Sequence, residues 1–231
     1  MCHIQRKFTI GTPRFRLLPE TLSPPALTSD DDDAAAEYPR WVLLESLAYV
    51  AKRDNGTTAF SRTSDGKEIQ VTVCPRRPPS VSYLCVYSPD AEIPVESKIL
   101  AMEEDLVLLL ITVSCQRDVM KNIDYYVYRA ADRAAGGKPS LTLLKRPPAP
   151  YISFYAEHTG ILHCGNSHHR PQLGSESGIS LRPHVQVAES SYIIAALKTV
   201  PWEMQNEFEF PQGSFILSLY HSKKDAWTVT I

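Results

Sequence analysis

The residues best suited to chemistry lie in one stretch, EHTGILHCGNSHHR, which carries His158, His163, Cys164, His168 and His169. Imidazole and thiolate are common zinc ligands, and a zinc-bound water would be the nucleophile of a metal-dependent hydrolase. The donor set for that reading is His163 with His168 and His169. The spacing argues against it. On a strand, adjacent His163 and Cys164 point to opposite faces, so only one of them can join a site built from the loop histidines. The tight paired spacing of four-ligand zinc motifs is also absent. The stretch reads as a strand end followed by solvated histidines, and neither a metal nor another cofactor is expected.

Other chemical motifs fail at identifiable positions. GSESG, Gly174 to Gly178, has Glu176 where a nucleophile elbow needs serine. AAGGKPS resembles a phosphate loop, but Asp132 stands where glycine is needed and Pro139 where Ser or Thr is needed. Glu103, Glu104 and Asp105 have the chemistry of a general acid and base pair, yet three acids in a row suit a solvated hairpin turn better. No catalytic residue is assigned on these grounds.

The elements that carry these groups read as strands. ILAMEEDLVLLLITVSC, Ile99 to Cys115, is too short in its apolar run, Leu106 to Val113, to cross a bilayer, which needs about twenty residues. Its β-branched Ile111, Thr112 and Val113 favour two strands, Lys98 to Met102 and Leu106 to Ser114, joined by the acidic turn. DYYVYRA and SLTLLKR continue the pattern, giving a four-stranded unit over about 98–146. On the first of these, Tyr126 and Tyr128 share one face and Tyr125 takes the other.

The second half repeats that layout in HVQVAES, SYIIAALKTV, SFILSLYHS and AWTVTI, a unit over about 184–231. Ile99 maps to Val185, Leu106 to Tyr192, Tyr125 to Phe215 and Leu141 to Trp227, a spacing of about 85 to 90 residues. SVSYLCVYSP and YISFYAEHTGILHCG precede the two units as candidate further strands. Upstream, RWVLLE reads as a strand and SLAYVAKRDNG as a short helical turn stopped by Asn55-Gly56. TTAFSRTSDGKEIQVTVC reads as a hairpin turning at Asp65-Gly66, with Ile69, Val71 and Val73 on one face.

The expected fold class is therefore mainly β: repeated four-stranded antiparallel units in a partial or open β-propeller-like arrangement, with a β-sandwich as the alternative. Residues 38–231 form this domain. Residues 1–37 are expected to be a disordered tail, because LSPPALTSDDDDAAAE buries too little to offset its ordering entropy. Arg6, Lys7, Arg14 and Arg16 give the amino terminus the charge of an organelle transit peptide, but Pro13 and Pro19 interrupt the helix such a peptide needs.

At this point the segments resemble a known family. YPRWVLLE, TTAFSRTSDGKEIQVTVCPRRPPSVSYLCVYSP, ILAMEEDLVLLLITV, DYYVYRA and PSLTLLKRP, in this order, are similar to the front part of the plant family called domain of unknown function 1618, expanded in grasses. The resemblance runs from about Tyr38 to the end. It implies a distant likeness to F-box-associated propellers and supplies no activity or catalytic residues to carry over. Family members commonly continue beyond the point where this chain ends, at Ile231, so an open propeller is expected here. LLPETL resembles the opening of an F-box, but the proline and aspartate runs after it cannot form the three helices of that motif.

Composition bounds the partners. The 231 residues carry 24 Lys plus Arg against 26 Asp plus Glu, so no field is available to recruit nucleic acid or an anionic membrane surface. Five widely spaced cysteines without a CxxC pair read as reduced thiols, placing the chain in the cytoplasm or nucleus. Asn55-Gly56-Thr57 matches a glycosylation acceptor but reads as a turn. The function expected is a non-catalytic protein-interaction module, with self-association through an open carboxy-terminal edge at AWTVTI and a metal-dependent hydrolase as the alternative.

Overall fold

A computed structural model of the chain describes residues 17, 19–26, 42–113, 123–131, 136–147, 154–164, 191–200, 211 and 213–230. The described residues are nearly all β. The strands are β1 (Leu43–Leu44), β2 (Leu47–Val50), β3 (Ala59–Arg62), β4 (Glu68–Cys74), β5 (Val81–Tyr87), β6 (Ser97–Glu103), β7 (Leu106–Thr112), β8 (Ile123–Arg129), β9 (Ser140–Leu143), β10 (Thr159–Cys164), β11 (Ser191–Thr199), β12 (Phe215–His221) and β13 (Ala226–Thr230). No helix among the described residues is long and apolar enough to cross a membrane.

The first sheet runs β3-β4-β5-β2-β6-β7-β8-β9, with β1 pairing parallel to β5 just ahead of β2. It curls until β3 lies beside β9, giving a nearly closed barrel. Alternation fills its interior. Ile69 and Val71 from β4, Leu84 and Val86 from β5, and Leu109 and Ile111 from β7 meet Tyr126 and Tyr128 from β8. The tyrosine hydroxyls reach the far side of the seam, Tyr126 donating to the Arg62 carbonyl at 3.3 Å and Tyr128 to the Thr57 carbonyl at 2.7 Å. Asp124, 1% exposed, accepts from the Ser64 N–H at 2.8 Å and lies 3.6 Å from the Arg146 guanidinium, so the seam is held by polar contacts.

The second sheet is the antiparallel meander β10-β11-β12-β13. It packs on the outside of the barrel over β6–β8. Leu106, Leu108, Tyr125 and Val127 meet Ile161, Ile194 and Tyr220 there, with Phe154 seated between the Tyr125 and Trp227 rings. The two tyrosine faces of β8 thus serve two cores, as alternation predicts.

The first four-stranded unit is present as β6–β9, and three of the strands expected in the second are β11–β13. The first unit, β6–β9, is hydrogen-bonded through β2 to the upstream strands and so belongs to a larger curled sheet. The second opens with β10 at Thr159–Cys164; residues 184–190, assigned that place from sequence, lie outside the described residues.

Two local expectations are corrected. The helical turn expected in SLAYVAKRDNG is strand β2, because Leu47–Val50 bridges β5 and β6 and Ala48 is buried between the sheet faces. Sheet pairing here outweighs a weak local helix preference. Within the segment expected to be disordered, Pro19–Leu22 forms a 3-10 turn with Thr21 buried. The Pro25 carbonyl accepts from Tyr83 and Arg53, and the Ala26 carbonyl from Arg76 at 2.9 Å. The carbonyls of this proline-rich segment accept from Tyr83 of β5, Arg53 of the β2–β3 loop and Arg76 of the β4–β5 loop. The rest of 1–37, Leu17 apart, lies outside the described residues.

Candidate functional site

The β6–β7 hairpin turns at Glu104-Asp105, as the acidic triplet indicated, with Glu104 at φ +51° in the first central position. That conformation favours glycine, so glutamate is held there at some strain. The Asp105 carbonyl accepts from the Ala130 N–H at 2.8 Å, which ties the turn to the end of β8 and aims the carboxylate toward the second sheet.

There it meets His163. Asp105 Oδ1 and His163 Nε2 are 2.6 Å apart, and Glu104 Oε2 is 3.9 Å from the same nitrogen. Arg129 Nε lies 3.7 Å from the other Asp105 oxygen, and its guanidinium sits 5.9 Å from the centre of the Tyr192 ring. Tyr192 is the register partner of His163. Burial pushes its hydroxyl up to about 12, opposed by the Arg129 charge. The cluster closes one end of the core between the two sheets.

This grouping joins two candidates that were separate in the sequence. His163 comes together with Glu104 and Asp105, whereas His168 and His169 lie outside the described residues. His158 ends a short 3-10 turn before β10, and Cys164 belongs to the opposite face of β10 from His163. Arg129 was not singled out. Its position at the end of DYYVYRA, level with the acidic turn once β7 and β8 are paired, was the available signal.

The three possible ligand atoms of Glu104, Asp105 and His163 lie within 4.8 Å of one another. Ligands about 2.1 Å from a tetrahedral zinc stand about 3.4 Å apart, so Asp105 and His163 at hydrogen-bond distance must separate before both bind one ion. The Arg129 cation on Asp105 opposes a second positive charge. A His–Asp pair also forms two thirds of a hydrolase triad, but no Ser, Thr or Cys side chain among the described residues is hydrogen-bonded to His163. The arrangement acts as a charged clasp between the barrel and the second sheet.

A second feature is the outward face of the second sheet. On β11 the side chains of Ile194 and Ala196 are buried against the barrel while Ile193, Ala195 and Leu197 point away. Across the four strands no outward position is Lys, Arg, Asp or Glu. Leu162, Leu197, Phe215 and Leu217 are exposed there, and Leu197 and Leu217 are direct register partners. Exposed antiparallel faces normally alternate apolar-in and polar-out. This one is apolar through its centre, at Leu162, Ile193, Leu197, Phe215, Leu217 and Leu219, with Thr199, His221, Thr228 and Thr230 among its other outward positions.

Comparisons of the chain with protein-family models, curated proteins and solved structures return no match.

Proposed function

We propose that this protein is a non-catalytic protein-interaction module on a β scaffold, with the outward face of the second sheet as its contact surface. One observation carries the reading: a four-stranded face without a charged residue, holding Leu162, Leu197, Phe215 and Leu217 in the open. Interface centres are depleted in charge, while ordinary surfaces depend on it for solubility. In this reading the chain belongs with the domain of unknown function 1618 family that it resembles. Cys74 and Cys85, neighbours on β4 and β5 that form no disulfide, suit a reducing compartment, the cytoplasm or nucleus. The near-neutral charge supports a protein partner over nucleic acid or a membrane surface.

Carbene footprinting of the dilute full-length chain tests the reading. Labelling at Leu162, Leu197, Phe215 and Leu217 is expected to match that of freely exposed side chains such as Met102. Protection of all four in a monomer would mean that the chain covers its own face, and the reading would be withdrawn. The competing reading, a metal-dependent hydrolase, draws on the proximity of Glu104, Asp105 and His163. Calorimetric titration with Zn2+ separates the two: stoichiometric binding abolished by His163→Ala would favour the hydrolase.

A further inference from the structure

On the outer face of β2, β4 and β5 two thiols lie side by side. Thr72 faces Cys85 across the β4–β5 ladder and Cys74 faces Tyr83, so Cys74 and Cys85 share a face as diagonal neighbours. The outer side of such a sheet is ordinarily solvated, yet Cys74 is 4% exposed and Cys85 1%. The second sheet covers another side of the barrel, over β6–β8. The chain that crosses here is 19–26. Pro19–Leu22 lies against β2, and the Pro25 and Ala26 carbonyls are held by Tyr83, Arg53 and Arg76. The Arg76 guanidinium sits 5.5 Å from the centre of the Tyr83 ring, and Tyr49 meets Tyr83 edge-on at 5.3 Å. The anchors of the strap thus belong to the cluster that encloses the two thiols.

This strap is weakly held. Of residues 19–26 only Thr21 is buried, and Leu22, Ser23 and Ala26 are exposed. A segment attached by a few hydrogen bonds opens locally at far less cost than the whole fold. Beneath it lies a pair, which can do chemistry that a single buried thiol cannot. We infer that Cys74 and Cys85 form a reversible dithiol–disulfide redox site covered by residues 19–26, with a low-molecular-weight disulfide such as oxidised glutathione as its oxidant. The thiolate of one cysteine attacks one sulfur of the oxidant and expels a glutathione thiolate, and the second cysteine then displaces the other glutathione. One S–S bond breaks and one forms. Two electrons leave the protein sulfurs, and the two thiol protons end on two molecules of reduced glutathione.

Two features keep the pair reduced under the strap. A hydrogen bond with Cys74, and after it burial, push the Cys85 thiol up against the pull of the Arg53 charge, so little thiolate forms while the cover is down. Diagonal neighbours on paired strands also stand about 7–8 Å apart, beyond the roughly 4.4–6.8 Å between α-carbons that an ordinary disulfide spans. Closing the bond draws β4 and β5 together, and a bond under that tension is readily reduced again. Such a site responds to an oxidising shift in a compartment that is ordinarily reducing.

Intact-mass spectrometry of the full chain tests the inference, with Cys2, Cys115 and Cys164 replaced by serine so that the pair alone remains. Under native conditions with oxidised glutathione, the mass is expected to fall by two hydrogens and digestion to yield a peptide cross-linked between Cys74 and Cys85. Reduced glutathione is expected to reverse both. Tyr83→Phe and Arg76→Gln each remove a bond to the strap. Both are expected to speed oxidation about fivefold, the rise in open population that one lost hydrogen bond gives, with circular dichroism unchanged. Oxidation only in denaturing urea, or a glutathione adduct that stays on one cysteine, overturns the redox site. An unchanged rate in the folded variants overturns the strap as its cover. Should both variants lose structure, Pro25→Gly, which loosens the strap and leaves the strands intact, carries the same expectation.

Discussion

Substituting Ile194 by alanine tests whether the second sheet is an integral part of one cooperative fold. Ile194 is 0% exposed, lies between its register partners Ile161 and Tyr220, and belongs to the core that the second sheet shares with Leu106, Leu108 and Tyr125 of the first. Truncation removes three carbons, worth about 2.4 kcal/mol of transfer free energy at about 0.8 per carbon. A residual cavity of about 50 Å³ adds about 1.2 kcal/mol at about 24 cal/mol per Å³. The expected loss is about 3.5 kcal/mol. Leu197→Ala, three residues on along β11 but facing outward at 43% exposure, loses only the buried fraction and leaves no cavity, a cost of about 1 kcal/mol. Urea unfolding followed by tryptophan fluorescence, at a protein concentration low enough to exclude self-association, measures both. With a slope of about 2–3 kcal/mol/M, the Ile194→Ala midpoint moves down by about 1.2–1.8 M and the Leu197→Ala midpoint by a third of that or less. Equal shifts, or an Ile194→Ala loss under about 1 kcal/mol, would refute the packing of the second sheet on the barrel. A separate early transition in the wild type would show that the sheet unfolds on its own.

Hydrogen bonds from Lys145 and Tyr220 hold the Asp225 carboxyl below its ordinary value. Its contribution to stability is full above the ordinary carboxylate range and is lost as pH falls through the lowered folded value; Asp225→Asn should flatten the acid limb of a stability-versus-pH curve. Burial pushes the Tyr125 and Tyr192 hydroxyls up to about 12. The protonated forms are favoured in the folded state, so stability present below about pH 10 should fall as pH rises toward 12. Absorbance at 295 nm is expected to show late titration that coincides with unfolding. His163→Ala removes the clasp to Asp105 and is expected to cost about 1 kcal/mol by chemical denaturation, since the cluster is partly solvent-screened. Deleting residues 1–26 takes away the chain bonded to Tyr83, Arg53 and Arg76 and should speed the reaction of Cys74 and Cys85 with a thiol reagent. Deleting 1–16 should leave that rate unchanged.

Local pattern was enough to reveal much of the β framework. Ile111-Thr112-Val113 cannot serve a helix as well as a strand, the acids Glu103 to Asp105 suit a turn, and Asp65-Gly66 marks a hairpin whose glycine sits at φ +86°. The two tyrosine faces of β8 followed from alternation alone, because successive side chains on a strand must part. The uncharged outward face was also present in the alternation of SYIIAALKT and FILSLYH, although only the packing of the opposite face showed which side is outward.

Tertiary structure decided what depends on chain elements far apart. Leu47–Val50 has little local claim to be a strand and becomes one because β5 and β6 leave a place between them. Pro19–Ala26, polar and proline-rich, is held by donors that come from residues 53, 76 and 83. Asp105 and His163 stand 58 positions apart and meet only when one sheet stacks on the other. Spacing along a sequence reports the neighbours that a strand or turn fixes by its own geometry; contacts across a stack of sheets depend on how whole faces bury one another.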